Sequence, residues 1–395
     1  MLTILRNIIL FIAIFSFYND NLVVDIAGSS SLKVIFALFI AINIIDIGKA
    51  TIEIASNMVM KSYNIFIIIF STTVLISVVF FDLLELFDAL LVIVGLHVVF
   101  VYFSYYKDFN KLLYFIWASV FISAFYSLFN EPIAEFTYRI TGGTADPVEF
   151  SVHLFTAIFI TIFLFNKNKN YLFLISSILL FLYAMLNAGS KTAILTIVLL
   201  VLYTLVVRFK HIFKAIYSFK SIIAISIILF VAFQTDVFSK LGAVEGFKGR
   251  VETKSKTMGT AETRFASWDA GYRMIGDYLF TGVGPNQFSK HATKYLQVSL
   301  DDEGLLNPHN IFVKMFSEAG IFSFLSFIVF LFFLLKARYF KLLKSEYFWI
   351  SLIPLATIMM GLALNITFNK HFWLSLALWS NVILMYRSSL KEEIV

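Results

Sequence analysis

The sequence predicts an all-α polytopic membrane protein with about 12 transmembrane helices and one large outer loop that contains amphipathic helices. Of its 395 residues, 60% are hydrophobic and only 14% are charged, whereas a soluble protein has about 25% charged residues. The hydrophobic residues form long runs that lack the period-two alternation of β-barrel strands. This composition excludes a disordered chain, because disordered chains are polar and rich in charge.

Length identifies the helices, because about 20 apolar residues are needed to cross the hydrocarbon core of a bilayer. Twelve runs approach that length. They divide the chain into three regions: residues 1–235 with nine spans, an outer segment at residues 236–318, and residues 319–395 with three spans. The predicted spans are 4–18, 33–48, 64–81, 84–106, 112–129, 150–166, 171–187, 192–208, 219–235, 319–336, 346–364 and 371–387.

The distribution of basic residues predicts the orientation. Seventeen Lys and Arg residues lie in one set of short loops and four in the opposite set, and the richer set is cytoplasmic by the positive-inside rule. Both termini are therefore expected in the cytoplasm. The net charge of +6 reflects this asymmetry, so we expect no nucleic-acid partner. The outer segment 236–318 holds 10 of the 31 basic residues and 10 of the 25 acidic ones, and a loop this long is usually functional.

Within the outer segment, Arg264 lies near the start of a predicted amphipathic helix. Apolar residues recur there at three- and four-residue spacing, which predicts a helix of about 15 residues ending before Gly282. Glu262 or Thr263 is a candidate cap for its first turn. A guanidinium beside the amides of a helix N-terminus favours an anion.

A glycine turn, Gly282-Val283-Gly284-Pro285, follows the predicted helix. It is not a dinucleotide-binding motif, since the third glycine and the preceding strand are missing. The turn is either a plain helix stop or part of a binding loop.

His309 begins the apolar helix that leads into the tenth span. At that position it is either a general base or phosphate ligand, or an interfacial residue that caps the helix. Lys191 lies in the shortest outer loop. Its positive charge either extends to the membrane surface along an apolar stem or faces a lipid-linked phosphate.

We expect no metal and no cofactor. The acidic run at residues 301–303 lacks the spacing of a calcium loop and is interpreted as a solvated surface. The chain has no cysteine, which excludes disulfides and thiolate zinc sites. No role is assigned to His97, His153 or His211, and His371, at the start of the twelfth span, is a weak candidate.

Three motifs in order resemble the O-antigen polymerase and O-antigen ligase superfamily. They are residues 189–193 (GSKTA), Thr263-Arg264 with Trp268 and the glycine turn, and residues 308–310 (PHN) followed by 318–320 (EAG). A further element at residues 139–147 is similar, although Val148 stands where the family usually has asparagine. The resemblance covers about residues 139–335.

The resemblance implies a GT-C-like, metal-independent glycosyltransferase whose donor is an oligosaccharide on undecaprenyl pyrophosphate. By this likeness Arg264 contacts the pyrophosphate and His309 activates the acceptor hydroxyl, so these two are the catalytic candidates. Lys191 replaces an arginine of the family and loses its bidentate fork. The candidates for binding pyrophosphate or glycan are Lys191, Arg273, Arg139, Trp268, Gly282, Gly284, Asn310 and Glu318.

Three functions remain open. A polymerase joining repeat units at the periplasmic face of the bacterial inner membrane is favoured over a ligase that transfers the glycan to lipid A-core. A transporter or flippase for the same glycolipid is a third, and it would carry ionisable residues near the midplane of its spans. The charges near the predicted spans sit instead at their ends, as at Asp46 and Arg208. The lipid bilayer and a chain-length regulator protein are the other candidate partners.

Overall fold

The computed structural model describes residues 2–27, 29–53, 57–79, 83–129, 140–144, 146–208, 260–296, 307–336 and 345–392. These residues are helical apart from turns, and none of them forms a strand. The all-α class predicted from the sequence is therefore confirmed for this part of the chain. The acidic run 301–303, the predicted ninth span and Arg139 lie outside the described residues.

Fourteen α-helices and one 3₁₀ turn, Thr293–Tyr295, make up the described structure. In chain order the helices are α1 (Leu2–Tyr18), α2 (Asp20–Ala27), α3 (Ser29–Glu53), α4 (Met58–Val79), α5 (Leu83–Ser104), α6 (Phe109–Tyr126), α7 (Pro147–Asn168), α8 (Tyr171–Ala188), α9 (Lys191–Arg208), α10 (Thr260–Asp277), α11 (Phe288–Ala292), α12 (Ile311–Lys336), α13 (Phe348–Gly361) and α14 (Lys370–Glu392).

Seven of the described helices, α3 to α8 and α12, are long and apolar enough to cross a membrane. Helices α1, α9 and α13 contain shorter apolar segments, and α14 covers the predicted twelfth span. The chain is therefore a multi-pass membrane protein, with eleven of its twelve predicted spans found as helices.

Local signals explain where the helices begin and end. The Asp146 side chain accepts a hydrogen bond from the Val148 amide, and Pro147 occupies the first position of α7, where its missing N–H costs nothing. Asn170 caps α8 in the same way. Gly189 ends α8 in the left-handed conformation, with φ 58°, which glycine adopts without strain.

Aromatic rings fill the centre of the bundle, where α4, α5, α12 and α14 pack together. Tyr63 stacks on Phe100 at 4.1 Å between ring centroids, and Trp373 stacks on Phe66 at 5.5 Å and on Phe330 at 6.2 Å. Dispersion between closely packed groups is what associates helices in lipid. Large apolar side chains of α8 and α9 point outward instead, as expected for a lipid-facing surface.

Helix α12 is kinked at Gly320, whose φ of 75° and ψ of 174° are not helical. The kink exposes backbone groups that are satisfied by residues 279–284. The Val283 and Gly284 amides donate to the Ser317 and Glu318 carbonyls at 3.0 and 2.9 Å, and the Ile321 amide donates to Leu279 at 2.8 Å. The turn after α10 is thus locked into the break in α12.

Helix α10 lies on the first half of α12 through small residues. Ala270 and Gly271 are buried there, and a Cβ on Gly271 would press on Val313 at 2.8 Å. The aromatic residues Phe265 and Tyr272 are more than 60% exposed. These two rings face outward because the close approach of α10 to α12 requires small residues on the inner face of α10.

Three helix starts near the candidate site differ from those predicted. Helix α10 already begins at Thr260, so Glu262 and Thr263 lie inside it and neither caps it. Helices α7 and α12 begin before the predicted spans, and each holds ionisable residues that are paired within the protein: Glu149 in α7, and Lys314 with Glu318 in α12. The expectation that charges sit only at span ends is therefore revised.

The end of the bundle that carries His309 is called the site end below. There the Asn365 side chain donates to Asn307 at 2.7 Å, and Asn369 donates to Glu149 at 2.5 Å. These bonds join the connection between α13 and α14 to the starts of α12 and α7. The site end is thus assembled from helices that are distant in the sequence.

Candidate active site

The indole of Trp268 joins the two catalytic candidates. Trp268 lies on α10 one turn after Arg264, and its Nε1–H donates a 2.6 Å hydrogen bond to the Pro308 carbonyl. Pro308 directly precedes His309. The bond therefore holds the helix that carries Arg264 against the loop that carries His309.

Arg264 is a partly exposed cation without a described anionic partner. Among the residues that the structure describes, its guanidinium forms no ion pair. It is close enough to His309 to interact with it electrostatically. A guanidinium without an ion-pair partner among the described residues can bind a phosphate or pyrophosphate through two parallel hydrogen bonds.

His309 has a strained backbone, with φ 43°. Non-glycine residues rarely adopt this left-handed region, and such strain is found most often at functional sites. The conformation turns the chain sharply before α12. It is maintained on one side by the Trp268 bond to Pro308 and on the other by the cap at Asn310.

The charges around His309 favour its neutral form. Burial lowers the pKa of His309 below the ordinary 6.5, the positive charge of Arg264 lowers this pKa further, and the negative charge of Asp146 raises it. A neutral imidazole at neutral pH is able to accept a proton from a hydroxyl. The electrostatics are therefore those that a general base requires.

Asn310 caps α12. Its side-chain oxygen accepts from the Phe312 and Val313 amides at 2.9 and 3.3 Å. These amides are the donors that a helix N-terminus leaves unsatisfied. The described contacts of Asn310 are thus structural, and its predicted role in substrate binding is not tested by them.

Gly282 and Gly284 form the turn that enters the kink of α12. Their φ values of 66° and 98° are left-handed, and a Cβ on Gly282 would overlap the backbone of Glu318 and Ala319. Close backbone approach therefore explains the glycine at 282 without a ligand. Gly320 mirrors it from α12, since a Cβ there would overlap the backbone of Phe280.

Glu318 is fully buried and anchors the loop after this turn. Its carboxylate accepts from the Asn286 and Phe288 amides at 2.9 and 3.0 Å and lies 3.8 Å from the Lys314 ammonium. The same ammonium donates to the Asn286 side chain at 3.0 Å and lies over the Phe368 ring. All of these partners belong to the protein, so Glu318 reaches substrate only through the loop that it holds.

Arg273 is exposed and pairs with Asp269, one turn earlier on α10, at 2.9 Å. Lys191 is the first residue of α9, after Ser190, whose hydroxyl accepts from the Ala193 amide at 3.2 Å. Its side chain lies outside the part of the chain that the structure describes. Ile140, the residue after Arg139, donates from its amide to the Asn187 carbonyl at 3.4 Å, near the start of α9.

Comparison with known proteins identifies the segment that holds these groups. Residues 175–328 match the family model Wzy_C, described as O-antigen ligase. This match places residues 175–328 in the O-antigen polymerase and ligase superfamily. The resemblance inferred from the three motifs is thus confirmed. No match to a curated protein was found.

The Wzy_C segment runs from α8 to the second half of α12 and includes Lys191, Arg264 and His309. Asp146 lies outside it, yet its charge acts on His309 across the site end. Its Asp-Pro pair was noted in the sequence, where it also reads as an ordinary helix start. What marks Asp146 as part of the site is its proximity to His309, which the sequence does not show.

Sequence reasoning also missed a cluster beside the site. Glu149 and His153 lie one turn apart on α7, and His371 lies near the start of α14, 218 positions after His153 in the printed sequence. One ligand atom from each lies within 4.8 Å of the others. The i, i+4 spacing of Glu149 and His153 was visible in the sequence, but their meeting with α14 depends on the tertiary fold.

Proposed function

We propose that the chain is an O-antigen polymerase, or the polymerase of a related surface polysaccharide. It joins repeat units carried on undecaprenyl pyrophosphate at the periplasmic face of the bacterial inner membrane, with both of its termini in the cytoplasm. The superfamily of the chain and its multiple apolar helices support this proposal. The specific donor, the face of the membrane and the choice of polymerase are the proposed part.

One observation carries the proposal: the Arg264 guanidinium, which forms no ion pair with any described residue, lies near the His309 imidazole, whose pKa is lowered by burial and by Arg264. The reaction needs these two groups in these states. The imidazole takes the proton of the acceptor hydroxyl while its oxygen attacks the anomeric carbon of the donor. The bond from that carbon to the pyrophosphate oxygen breaks, and the bond electrons leave on the pyrophosphate.

The departing pyrophosphate is a stable anion, so its oxygen needs a cation more than an acid. Arg264 supplies that positive charge, and Lys191 is proposed to supply a second one. The arrangement accounts for transfer without a metal ion. Arg273 and Arg139 are proposed to bind more distant parts of the substrate, and Asp269 would then exchange its Arg273 partner for solvent.

The remaining candidates shape the site. Trp268 positions His309 through the Pro308 carbonyl, while Gly282, Gly284 and Glu318 keep the loop after α10 against α12. The exposed rings of Phe265 and Tyr272 offer flat apolar surfaces on which a sugar face can stack. A lipid-linked substrate would enter with its tail in the bilayer and its head between α10 and α12.

The test is complementation of a strain that lacks the chromosomal copy of the gene. We expect His309→Gln and Arg264→Gln to abolish polymer formation while both proteins accumulate in the membrane at wild-type levels. His97→Gln is the matched control, since His97 lies in α5 next to Thr51 and has no part in the proposed chemistry. Normal polymer from both site variants would disprove the assignment.

A ligase is the second candidate, because the matching family model is described as O-antigen ligase. The lipopolysaccharide of the deletion strain separates the two functions on one gel. Loss of a polymerase leaves lipid A-core that carries one repeat unit. Loss of a ligase leaves bare lipid A-core and polymer that is still attached to undecaprenyl pyrophosphate.

A transporter or flippase predicts a third result. Its loss would keep the lipid-linked repeat unit on the cytoplasmic side, so that no repeat reaches the core. Purified protein in vesicles that contain the lipid-linked repeat would then leave the length of the glycan unchanged. A chain-length regulator protein is the other proposed partner, and its removal should broaden the length distribution and leave bond formation intact.

A further inference from the structure

The cluster of Glu149, His153 and His371, called the Glu149 cluster below, is buried between α7 and α14. The three residues are 9%, 1% and 3% exposed. The rings of His153 and His371 lie 4.5 Å apart in an edge-to-face arrangement, and Tyr18 packs on His153 at 4.7 Å. Nothing in the proposed transfer reaction uses this cluster.

The Glu149 carboxylate has no basic partner that is permanently charged. Among the described residues no Lys or Arg forms an ion pair with it. Its partners are the His371 Nδ1 at 3.3 Å and the side-chain Nδ2 of Asn369, which donates to it at 2.5 Å. Two further carboxylates, those of Asp20 and Asp146, act on it with like charge. A buried carboxylate that faces other carboxylates and has only a histidine and a side-chain amide as partners is electrostatically unfavourable, and a bound cation would offset that repulsion.

The histidines leave nitrogen atoms free to bind such a cation. Neither ring nitrogen of His153 has a hydrogen-bond partner among the described residues, and neither does the Nε2 of His371. The backbone of Tyr18 interacts with the His153 ring, but not with hydrogen-bonding geometry. Buried polar atoms normally find a partner, so three ring nitrogens without a partner among the described residues mark this place as able to bind a ligand.

The donor set and its spacing fit a divalent transition metal. Two imidazoles and one carboxylate form a familiar Zn²⁺ ligand set, with water in the fourth position. At bond lengths of about 2.1 Å a tetrahedral ion holds its ligand atoms about 3.4 Å apart, and Glu149 Oε1 and His371 Nδ1 already lie 3.3 Å apart. Rotation of the unbonded His153 ring brings in the third ligand. Asn369 would hold the carboxylate from the second shell, as such partners do in metal sites.

We propose that Glu149, His153 and His371 bind one Zn²⁺ ion that ties α7 to α14 at the site end. The site is structural: it lies inside the protein, and the transfer reaction of Arg264 and His309 does not pass through it. By fixing the start of α7, the ion also fixes Asp146, one turn before Glu149, next to His309.

Metal content tests the proposal independently of activity. The full-length protein is purified in detergent through a tag without histidine, from cells grown with added Zn²⁺, and is dialysed against a weak chelator. We expect about one Zn²⁺ per chain by elemental analysis. Glu149→Gln and His371→Gln should lower this content at least five-fold, while His97→Gln, the histidine control in α5, should keep it.

A second measurement uses the wild-type protein alone, because the variants could fail to fold. After the metal is stripped, Co²⁺ should produce the visible absorption of a tetrahedral site, and Zn²⁺ should abolish that absorption at one equivalent per chain. Zn²⁺ should also raise the melting temperature of the stripped protein by about 5 °C. Wild-type protein that retains no metal and shows neither response, or cluster variants that bind as much Zn²⁺ as the wild type, would overturn the proposal.

Discussion

Trp268 and Pro308 are joined by a 2.6 Å hydrogen bond from the indole N–H to the carbonyl, across 40 positions of sequence. Arg264 is carried by the helix on one side of this bond, and His309 follows the acceptor on the other. The bond thus fixes the helix of the proposed pyrophosphate-binding cation, Arg264, relative to the loop of the proposed general base, His309. Three of the proposed roles depend on this contact.

Removing that indole donor should slow transfer without unfolding the protein. Trp268→Phe keeps an aromatic ring but loses the N–H, and a hydrogen bond of this kind contributes about 1 kcal/mol. We expect kcat to fall about five-fold with a smaller change in KM, because the bond orients His309 and does not contact substrate. Trp117→Phe is the matched control, since the Trp117 N–H has no hydrogen-bond partner among the described residues. Equal rates for both variants would mean that the contact is dispensable.

The charge of Asp146 should show in the pH dependence of the reaction. Its negative charge raises the pKa of His309, so Asp146→Asn should lower that pKa further. More of the imidazole is then neutral at acidic pH, and the acidic limb of the kcat/KM profile should move to lower pH. Asparagine still caps a helix, so α7 should remain intact.

The control for this shift is Asp108→Asn, a change at the cap of α6, which is not among the groups that act on His309. We expect this variant to leave the acidic limb where it is. A limb that moves to higher pH in Asp146→Asn would contradict the electrostatic arrangement around His309.

Gly282→Ala should destabilise the protein because the turn has no room for a side chain. The left-handed φ and the overlap with the Glu318 backbone together predict a loss of about 2–4 kcal/mol in the free energy of unfolding. Gly276→Ala is the matched control: Gly276 lies inside α10, and a Cβ there meets nothing within 4 Å. That change should be neutral or stabilise by up to about 1 kcal/mol. Thermal unfolding in detergent measures both, and similar midpoints would argue against the locked turn.

Lys314 and Glu318 form a buried ion pair. Removing one charge of the pair should destabilise the protein more than removing both. Glu318→Gln leaves the buried Lys314 ammonium unpaired, which should lower the free energy of unfolding by about 3–5 kcal/mol. The double change Lys314→Met with Glu318→Gln removes the unpaired charge and should recover part of that loss. The exposed pair of Arg273 and Asp269 serves as control, since Asp269→Asn should cost at most about 0.5 kcal/mol. If the single and double variants unfold at the same temperature, the two side chains are not coupled.

The proposed transfer should not require a free divalent metal ion. Arg264 and Lys191 provide the positive charge that a metal would otherwise supply, so the initial rate after addition of a chelator should equal the rate without it. The rate is measured with purified protein and a lipid-linked repeat unit. If activity is lost at once and Mg²⁺ or Mn²⁺ restores it, a metal ion and not the two basic side chains stabilises the leaving pyrophosphate.

Much of the membrane architecture follows from the sequence because lipid restricts the choice of structure. A run of about 20 apolar residues has to satisfy its own backbone hydrogen bonds, and a helix is the simplest way to do so. For this reason the segments 64–81 and 171–187 appear as α4 and α8 with small changes of boundary. The start of α7 was placed three residues too late, because Glu149 has the character of a loop residue until its buried partners are known. The helix from His309 into the tenth span was predicted, and only the span boundary at residue 319 left out Lys314 and Glu318.

The site was partly accessible from sequence. Arg264 and His309 were predicted as catalytic candidates through their motifs, and the family match supports the resemblance on which that prediction rests. The sequence pattern did not show which of the neighbouring motif residues make structural contacts within the protein. Asn310 is a helix cap, Gly282 permits close backbone contact, and Glu318 holds backbone amides, and each of these needs a neighbour that is distant in the chain.

By itself the sequence determined that the chain forms apolar membrane helices and that it carries motifs of the O-antigen polymerase and ligase superfamily, because hydrophobic length and local motifs are properties of short segments. The tertiary structure decided what those segments bring together: Asp146 near His309, Trp268 on Pro308, and Glu149 and His153 against His371. The physical reason is that charge and hydrogen bonding act over a few ångströms in space. Residues that are 40 to more than 200 positions apart interact only when the packing of the helices has placed them in contact.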